Sequence, residues 1–397
     1  MNDVSLVIRL ASGLHAAGTP AHRLEGLLAQ IADHLGVHAD VFSTPTAVFV
    51  TIGTGETART VLLRLAPGGL DIGRQAELDG LAEALLSDAV SPARALELLD
   101  DLEQTPPPYG SAATVAAFAF TGASAAVALG GGPYEALSSA IAGTLVGLVE
   151  RNLHRRPDAA YLFEAVATFL AMASAMLVHH LIAPIDVVVA TLAAVIVLLP
   201  GLSFTTAITE LATRNLVSGT ARMAGALVVL LGMAVGAALA APLGGWLPPS
   251  PDVAPAAVPA WGIWLVLPVV GVTFAVLLRA RPRDTGWVML APMIALALAQ
   301  AGVQLMGPVV GVGAAAFGLA LVSNGIARWR RRPASTMLTP GVLLLVPGSA
   351  ALRAVLLLVD HDVNAGVDGF FEAALVATAL AAGVLTANLV VAPRRGL

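Results

Sequence analysis

The pattern of apolar and polar positions divides the chain into two parts. Up to about residue 108, apolar positions recur at helical or strand spacing among polar ones, which is typical of elements that each bury one face. From residue 111 onward, long apolar runs follow one another with short polar interruptions. Because a helix needs about 17 to 25 mostly apolar residues to cross a bilayer, the second part is predicted to lie in a membrane.

The first part, residues 1–108, is predicted to be a small cytoplasmic α+β domain. Thr19-Pro20 is typical of a helix start, and the apolar positions from Leu24 to Leu35 follow at helical spacing until Gly36. Three prolines at 106–108 end the domain, because proline cannot continue a helix. The elements predicted between them are three strands and two helices, at 37–42, 46–52, 60–65, 71–87 and 92–104.

The membrane region is predicted to contain ten transmembrane helices. They fall into two groups of five, within residues 111–242 and 260–392. The predicted spans are 111–130, 134–150, 159–181, 185–204, 220–242, 260–279, 285–305, 308–328, 336–357 and 369–392.

The distribution of arginine predicts the orientation, because cytoplasmic loops collect basic residues. With the N-terminus inside, the outer side holds no arginine except Arg353 near one membrane edge. The protein is therefore expected in a cytoplasmic membrane, with both termini inside the cell. The arginines assigned to the inner side are Arg151, Arg155, Arg156, Arg214, Arg279, Arg281, Arg283, Arg328, Arg330, Arg331, Arg332, Arg394 and Arg395.

A Pro-Gly pair interrupts the fourth predicted span at Pro200-Gly201, where hydroxyls and charges follow an apolar run. A break in hydrocarbon is tolerated only where it is buried in protein or lines a water-filled cavity. The pair recurs at Pro347-Gly348, an offset of 147 residues from 200 to 347, and Gly219 and Gly366 repeat that offset. Since five spans are an odd number, the second copy is predicted to be inverted. Inverted repeats with matching broken helices are typical of transporters with a site at mid-membrane, although a kink with a packing role alone is the simpler alternative.

Three segments resemble the threonine/serine exporter family: AAGTPAHRLEGLLAQIADHLGV at 16–37, STPTAVFVTI at 43–52 and LLPGLSFTTAITELATRNLVSGTAR at 198–222. In that family a cytoplasmic domain precedes ten spans. The resemblance implies export of small amino acids, threonine and serine above all, driven by the proton motive force. The second half departs from the family-like element, with Arg353 and Asp360 where matching polar groups are expected.

A hydroxy amino acid carries a carboxylate, an ammonium and a hydroxyl, and a dry site must satisfy all three. The residues after Pro200 supply hydroxyls and charges of both signs, and Thr206, Thr209 and Glu210 share one helix face. The alternative for each threonine is a hydrogen bond to a carbonyl of its own helix. The candidate substrate-binding residues are Pro200, Gly201, Ser203, Thr205, Thr206, Thr209, Ser218, Gly219, Arg222, Pro347, Gly348 and Ser349.

Proton coupling needs a group that changes its charge, and ionisable residues within spans are candidates by default. Glu210 is the first choice because it lies beside the break, and Glu164 and Glu372 are the others. Export would then be antiport with protons.

Composition excludes several other classes. The chain is 57% hydrophobic and 12% charged, with no basic patch for nucleic acid, and without cysteine it has no thiolate metal site. It contains neither a phosphate-binding GxxxxGK[ST] motif nor HExxH, so we expect no enzyme, no cofactor and no metal. Expected partners are the substrate, protons, membrane lipid and, in a homo-oligomer, further copies of the chain. Two alternatives stay open, namely an exporter of small dicarboxylates such as succinate and a membrane-anchored sensor or scaffold acting through residues 1–108.

Overall fold

The structure is a computed structural model and describes residues 2–153, 161–251, 258–259, 261–330 and 333–392. The first residues of the spans predicted to begin at 159 and 260 lie outside this range. So do six of the arginines assigned to the inner side, namely Arg155, Arg156, Arg331, Arg332, Arg394 and Arg395.

Residues 2–104, here called the N-terminal unit, contain four helices and a three-stranded antiparallel sheet of order β1-β2-β3. The predicted strands and helices are present within a few residues, and a further helix, α1, precedes them. The elements are α1 (Asn2–Ala16), α2 (Ala21–His34), β1 (Ala39–Thr44), β2 (Ala47–Ile52), β3 (Arg59–Arg64), α3 (Ile72–Leu86) and α4 (Pro92–Gln104).

The N-terminal unit has a hydrophobic core of its own. Val48 and Val50 alternate along the central strand and are fully buried against the helices, as expected for a sheet with one covered face. Leu24, Leu28 and Ile31 form the buried stripe of α2 at helical spacing. Packing of α2 in this core therefore fixes the position of its N-terminal end relative to the rest of the unit.

Twelve further helices are described in the rest of the chain. They provide seven candidate spans that are long and apolar enough to cross a membrane, one of which, Ser335–Val359, contains two of these helices, or up to eight spans if one bent pair also counts as a single span. This supports a mainly helical protein with several membrane spans, and the count of ten stays a prediction. The helices are α5 (Ser111–Ala128), α6 (Pro133–Leu153), α7 (Phe163–Leu181), α8 (Val187–Ala194), α9 (Gly201–Ala212), α10 (Leu216–Ala240), α11 (Gly262–Leu277), α12 (Thr285–Met306), α13 (Pro308–Arg330), α14 (Ser335–Leu345), α15 (Gly348–Val359) and α16 (Val363–Val390).

Both Pro-Gly pairs interrupt a helix. α9 and α15 begin at Gly201 and Gly348, directly after prolines with similar backbone angles. The helix axis bends by 56° between α8 and the segment that contains α9. Each proline lacks the backbone N–H that would continue the preceding helix, which explains the position of the break.

The backbone after each break follows the same course at the 147-residue offset. α9 and α15 both have 12 residues. Arg214 and His361 end them with positive φ angles of 66° and 65°. A Cβ on Gly219 would lie 2.8 Å from Leu211 Cγ, and one on Gly366 would lie 2.6 Å from Leu358 Cγ. Both glycines therefore allow the next helix to fold back closely on the short one.

The two breaks contact each other in the middle of the helix bundle. A Cβ added to Gly201 would lie 3.0 Å from Gly348 Cα, so the two backbones approach closely there. Both Pro-Gly pairs line a void of about 10 Å³. Beyond it, α9 packs on α16 and α15 packs on α10, so each short helix packs on the long helix that follows the other.

The N-terminal unit docks on the loop that follows α11 and on the last turns of α9. The backbone N–H of Ile72 donates to the carbonyl of Leu278 at 3.0 Å, and Asp71 lies 3.8 Å from Arg279. A Cβ on Gly73 would lie 2.2 Å from the Arg279 carbonyl oxygen, which explains glycine at this position. At the other end of the contact, the backbone N–H of Ala21 donates to Glu210 at 3.1 Å.

Candidate functional site

A cavity of about 530 Å³ lies between the N-terminal unit and the helix bundle. Its volume falls within the range of about 300 to 1,000 Å³ usual for small-molecule sites. Helices α2, α3, α9, α13, α14 and α16 supply its walls. The polar residues that line it are His22, Arg23, Gln30, Gln75, Thr205, Thr206, Thr209, Asn324, Ser335, Thr339 and Asn388.

Helix α9 presents Thr206 and Thr209 to this cavity, together with Leu202 and Thr205. The hydroxyl of Thr205 donates to the Gly201 carbonyl at 3.0 Å, and that of Thr209 donates to the Thr205 carbonyl at 3.0 Å. These bonds within the helix use the hydroxyl protons and leave the oxygen lone pairs as acceptors for a ligand. Thr205 and Thr209 therefore both bond to carbonyls of their own helix and line the cavity.

Two asparagines, one on α13 and one on α16, form a second polar patch in the cavity wall. Asn324 is buried and donates through Nδ2 to Asn388 Oδ1 and to the Val391 carbonyl, each at 2.8 Å. Both line the cavity. Sequence reasoning missed them, although an amide inside an apolar run is itself a signal because it must find hydrogen bonds there.

The N-terminal unit contributes the charged part of the wall. Arg23 lines the cavity and forms an ion pair through Nη2 with Asp79, which is 1% exposed. Burial raises the pKa of the Asp79 carboxyl, and Arg23 partly opposes that shift. Burial likewise lowers the pKa of the neighbouring His22, against the attraction of Glu210. Neither His22 nor Arg23 was among the site residues expected from the sequence.

Glu210 lies outside the cavity wall and is fully buried. Its carboxylate accepts hydrogen bonds from Ala21 N at 3.1 Å, Ser218 Oγ at 3.0 Å, and Arg222 Nε and Nη2 at 3.1 and 3.2 Å. A buried charge needs this degree of pairing and hydrogen bonding, and the two-point contact with Arg222 is the strong form of the ion pair. The group joins α9, α10 and α2, and is here called the Glu210 cluster (Ala21, Glu210, Ser218, Arg222).

Thr206, Thr209 and Glu210 were predicted to share one helix face, but they lie at two different sites. The threonines line the cavity, while Glu210 brings together Ser218 and Arg222 from the predicted set. The remaining candidates lie elsewhere. Pro200, Gly201, Pro347 and Gly348 line the small void between the breaks, Gly219 packs on Leu211, and Ser203 and Ser349 line neither space.

The other two acids expected to couple protons lie away from both sites. Glu164 is half-buried in the first turn of α7, and Glu372 is exposed on α16. Among the described residues, no three His, Cys, Asp or Glu side chains lie close enough together to hold a metal ion.

Long apolar helices, two of them interrupted at breaks that touch, define the class as a multi-span membrane protein, and a polar cavity of ligand size lies beside its helices. Comparison with known proteins narrows this class. Residues 5–244 match the family model "Putative threonine/serine exporter", and residues 264–390 match "Threonine/Serine exporter, ThrE". The chain belongs to the threonine/serine exporter family.

Two bacterial relatives match almost the whole chain. The "Probable threonine/serine exporter" of Mycobacterium tuberculosis is 26% identical over 99% of this chain and 77% of its own length. The "Threonine/serine exporter" of Corynebacterium glutamicum is 25% identical over 96% of this chain and 81% of its own length. A yeast relative from Zygosaccharomyces rouxii, "Pheromone-regulated membrane protein 10", is 25% identical over 88% of this chain and 37% of its own length. No solved structure matches the chain.

Proposed function

We propose that this protein exports threonine and serine from the cytoplasm in exchange for protons, by alternating access. The observation that carries the proposal is the cavity of about 530 Å³, which is lined by hydroxyl and amide groups and by α9, the helix that also holds the buried carboxylate of Glu210. Hydroxyls and amides can satisfy a small hydroxy amino acid, and a carboxylate can take up a proton. Membership of a family of threonine/serine exporters agrees with this substrate class.

The proposed architecture is ten spans in two inverted five-helix repeats. Its support is the equal backbone course after Pro200 and Pro347 and the reciprocal packing of α9 on α16 and of α15 on α10. Breaks that touch at the centre can let each short helix tilt against its neighbours without separating the bundle. Opening first on one side of the membrane and then on the other would expose the cavity to each side in turn.

In the proposed orientation the N-terminal unit is a cytoplasmic domain, in a bacterial inner membrane with both termini inside. The unit docks beside Arg279 and Arg281, which belong to the arginine-rich set expected on the inner side. The cavity then lies at the cytoplasmic mouth and the N-terminal unit covers it. In this arrangement the unit moves away to admit substrate.

Glu210 is the proposed proton carrier. Its charge holds Arg222 and the first backbone N–H of α2 at the same time. A proton on Glu210 would remove the charge on which these bonds depend and loosen the contact between α9, α10 and α2. Proton uptake would in this way be linked to movement of the cavity wall.

One observation favours a second candidate substrate class, small dicarboxylates. No aspartate or glutamate lines the cavity in the part of the chain that the structure describes, whereas Arg23 and His22 do. An ammonium group would therefore be held by neutral acceptors alone, such as Asn388 and Thr206. A dicarboxylate needs no such acceptors.

Counterflow in proteoliposomes tests the proposal. Proteoliposomes that contain the purified protein are loaded with unlabelled substrate. Uptake of labelled serine, threonine or succinate is then followed with and without a pH gradient. We expect exchange of serine and threonine, with accumulation that depends on the gradient. Exchange of succinate alone would replace the proposal by the second candidate, and exchange of none of the three would overturn both.

A further inference from the structure

Three side chains that line the cavity contain buried polar atoms without a hydrogen-bond partner. They are His22 Nδ1, Arg23 Nε and Ser335 Oγ, and no partner for them occurs within the described residues. Buried polar groups are nearly always paired in folded proteins, so each such atom calls for an explanation. The three residues come from two separate parts of the chain, α2 and the start of α14, and all three line the same cavity.

The chemistry of these atoms favours an anionic oxygen ligand. Arg23 has five N–H donors, and its ion pair with Asp79 uses Nη2. Serine and histidine can each donate one further hydrogen bond. A carboxylate has two oxygens that accept several hydrogen bonds, and bonds to a guanidinium are among the strongest in proteins.

The rest of the wall offers groups suited to the other end of a small amino acid. Thr205 and Thr209 have used their protons within α9 and offer only oxygen lone pairs to the cavity. Asn388 and Asn324 form the amide patch. The cavity wall thus combines N–H donors from the N-terminal unit with hydroxyl and amide oxygens from the membrane helices.

We infer that Arg23, together with His22 and Ser335, binds the carboxylate of the transported amino acid, so that the N-terminal unit supplies half of the substrate site. This inference rests on the proposed function and adds the residues that recognise the substrate's anionic end. The N-terminal unit is then more than a cover, because substrate cannot be held in this state without it. Undocking of the unit would remove the carboxylate's partners and release the substrate's anionic end.

The test compares serine with serinamide, which keeps the ammonium and hydroxyl but has a neutral amide in place of the carboxylate. Binding of labelled serine to the purified full-length protein is displaced by each compound. For the wild type we expect serine to compete at least about tenfold better than serinamide, since a hydrogen bond to a charged group contributes on this scale.

The decisive variant is Arg23→Gln combined with Asp79→Asn, which removes both charges of the buried pair and leaves neither unpaired. We expect its preference for serine over serinamide to fall below about twofold. Arg9→Gln is the matched control, because Arg9 pairs with Asp100 and Glu103 on the surface of the same unit, away from the cavity. The control should keep the wild-type preference.

The outcomes distinguish failure of the proposed function from failure of the inference about Arg23. A wild type that binds no serine overturns the proposed function, and the inference with it. A double variant that binds serine and keeps the full preference overturns the inference alone. Should the double variant fail to fold, Arg23→Lys serves instead, because it keeps the charge but loses Nε. An unchanged preference in Arg23→Lys then overturns the inference, and a drop of about threefold or more supports it.

Discussion

Glu210 and Arg222 form a two-point ion pair inside the helix bundle, with Arg222 Nε 3.1 Å from Oε2 and Nη2 3.2 Å from Oε1 of the carboxylate. Glu210 is fully buried, and Ser218 and the backbone N–H of Ala21 complete its hydrogen bonds. A single carboxylate therefore links the break-containing segment, the following long helix and the N-terminal unit. The proposed proton cycle depends on this link.

Replacing Glu210 by glutamine should abolish proton-coupled export. The amide has nearly the same shape but cannot change its charge in the working pH range. We expect loss of gradient-driven accumulation of serine, measured in proteoliposomes with an imposed pH gradient. Glu97→Gln is the control, since Glu97 is an exposed acid paired with Arg94 in α4. Export by Glu210→Gln that still responds to the gradient would remove Glu210 from the coupling mechanism.

The ion pair should also be visible in stability. Arg222→Gln leaves Glu210 buried without its charged partner, which typically costs about 3–5 kcal/mol of unfolding free energy. The double variant Arg222→Gln with Glu210→Gln should recover much of this loss, because no charge is left unpaired. Thermal unfolding of the two single variants and the double variant in detergent measures the coupling. Additive losses would show that the pair is not a unit.

Sequence patterns predicted the local elements well. α4 begins at Pro92 with the Ser91 side chain accepting from Arg94 N, and both breaks fall at Pro-Gly. Such signals act over a few residues, so they can be read without knowing the fold. The N-terminal helix α1 was not predicted, although Leu6, Leu10 and Leu14 recur at helical spacing and are buried.

The site was only partly predictable. Thr206, Thr209 and Glu210 could be proposed from the sequence because polar groups stand out beside a long apolar run. The contact of Glu210 with Ala21 joins residues 189 positions apart, and that of Asn324 with Asn388 joins residues 64 apart. No local pattern encodes which distant helix will face a given side chain, so the wall formed by His22 and Arg23 emerged only from the packing.

Alanine at Gly201 should disturb the contact between the breaks. Its Cβ would lie 2.8 Å from Val346 Cγ2 and 3.0 Å from Gly348 Cα, so the backbones would have to separate. Overpacking of this kind costs about 1–3 kcal/mol, and we expect a lower melting temperature and slower serine counterflow.

Gly225→Ala is the matched control for that variant, because no atom lies within 4 Å of the Cβ position of Gly225 in α10. Alanine there should leave transport unchanged and stabilise the helix by up to about 1 kcal/mol. Equal effects of Gly201→Ala and Gly225→Ala on counterflow would contradict a special role for the contact.

Acid should weaken docking of the N-terminal unit through His22. Burial lowers the pKa of this imidazole below its ordinary value of about 6.5, with Arg23 and Arg222 adding to the effect and Glu210 opposing it. The undocked or unfolded chain therefore binds the proton more readily than the docked one. By linkage, the stabilisation is complete above about pH 6.5 and is lost as the pH falls below that value.

The melting temperature, followed from pH 7.5 to 5.5, should drop less in His22→Asn than in the wild type. His38→Asn, at an exposed site on the same unit, should keep the wild-type slope, and an equal slope in all three proteins would rule out His22 as the group responsible.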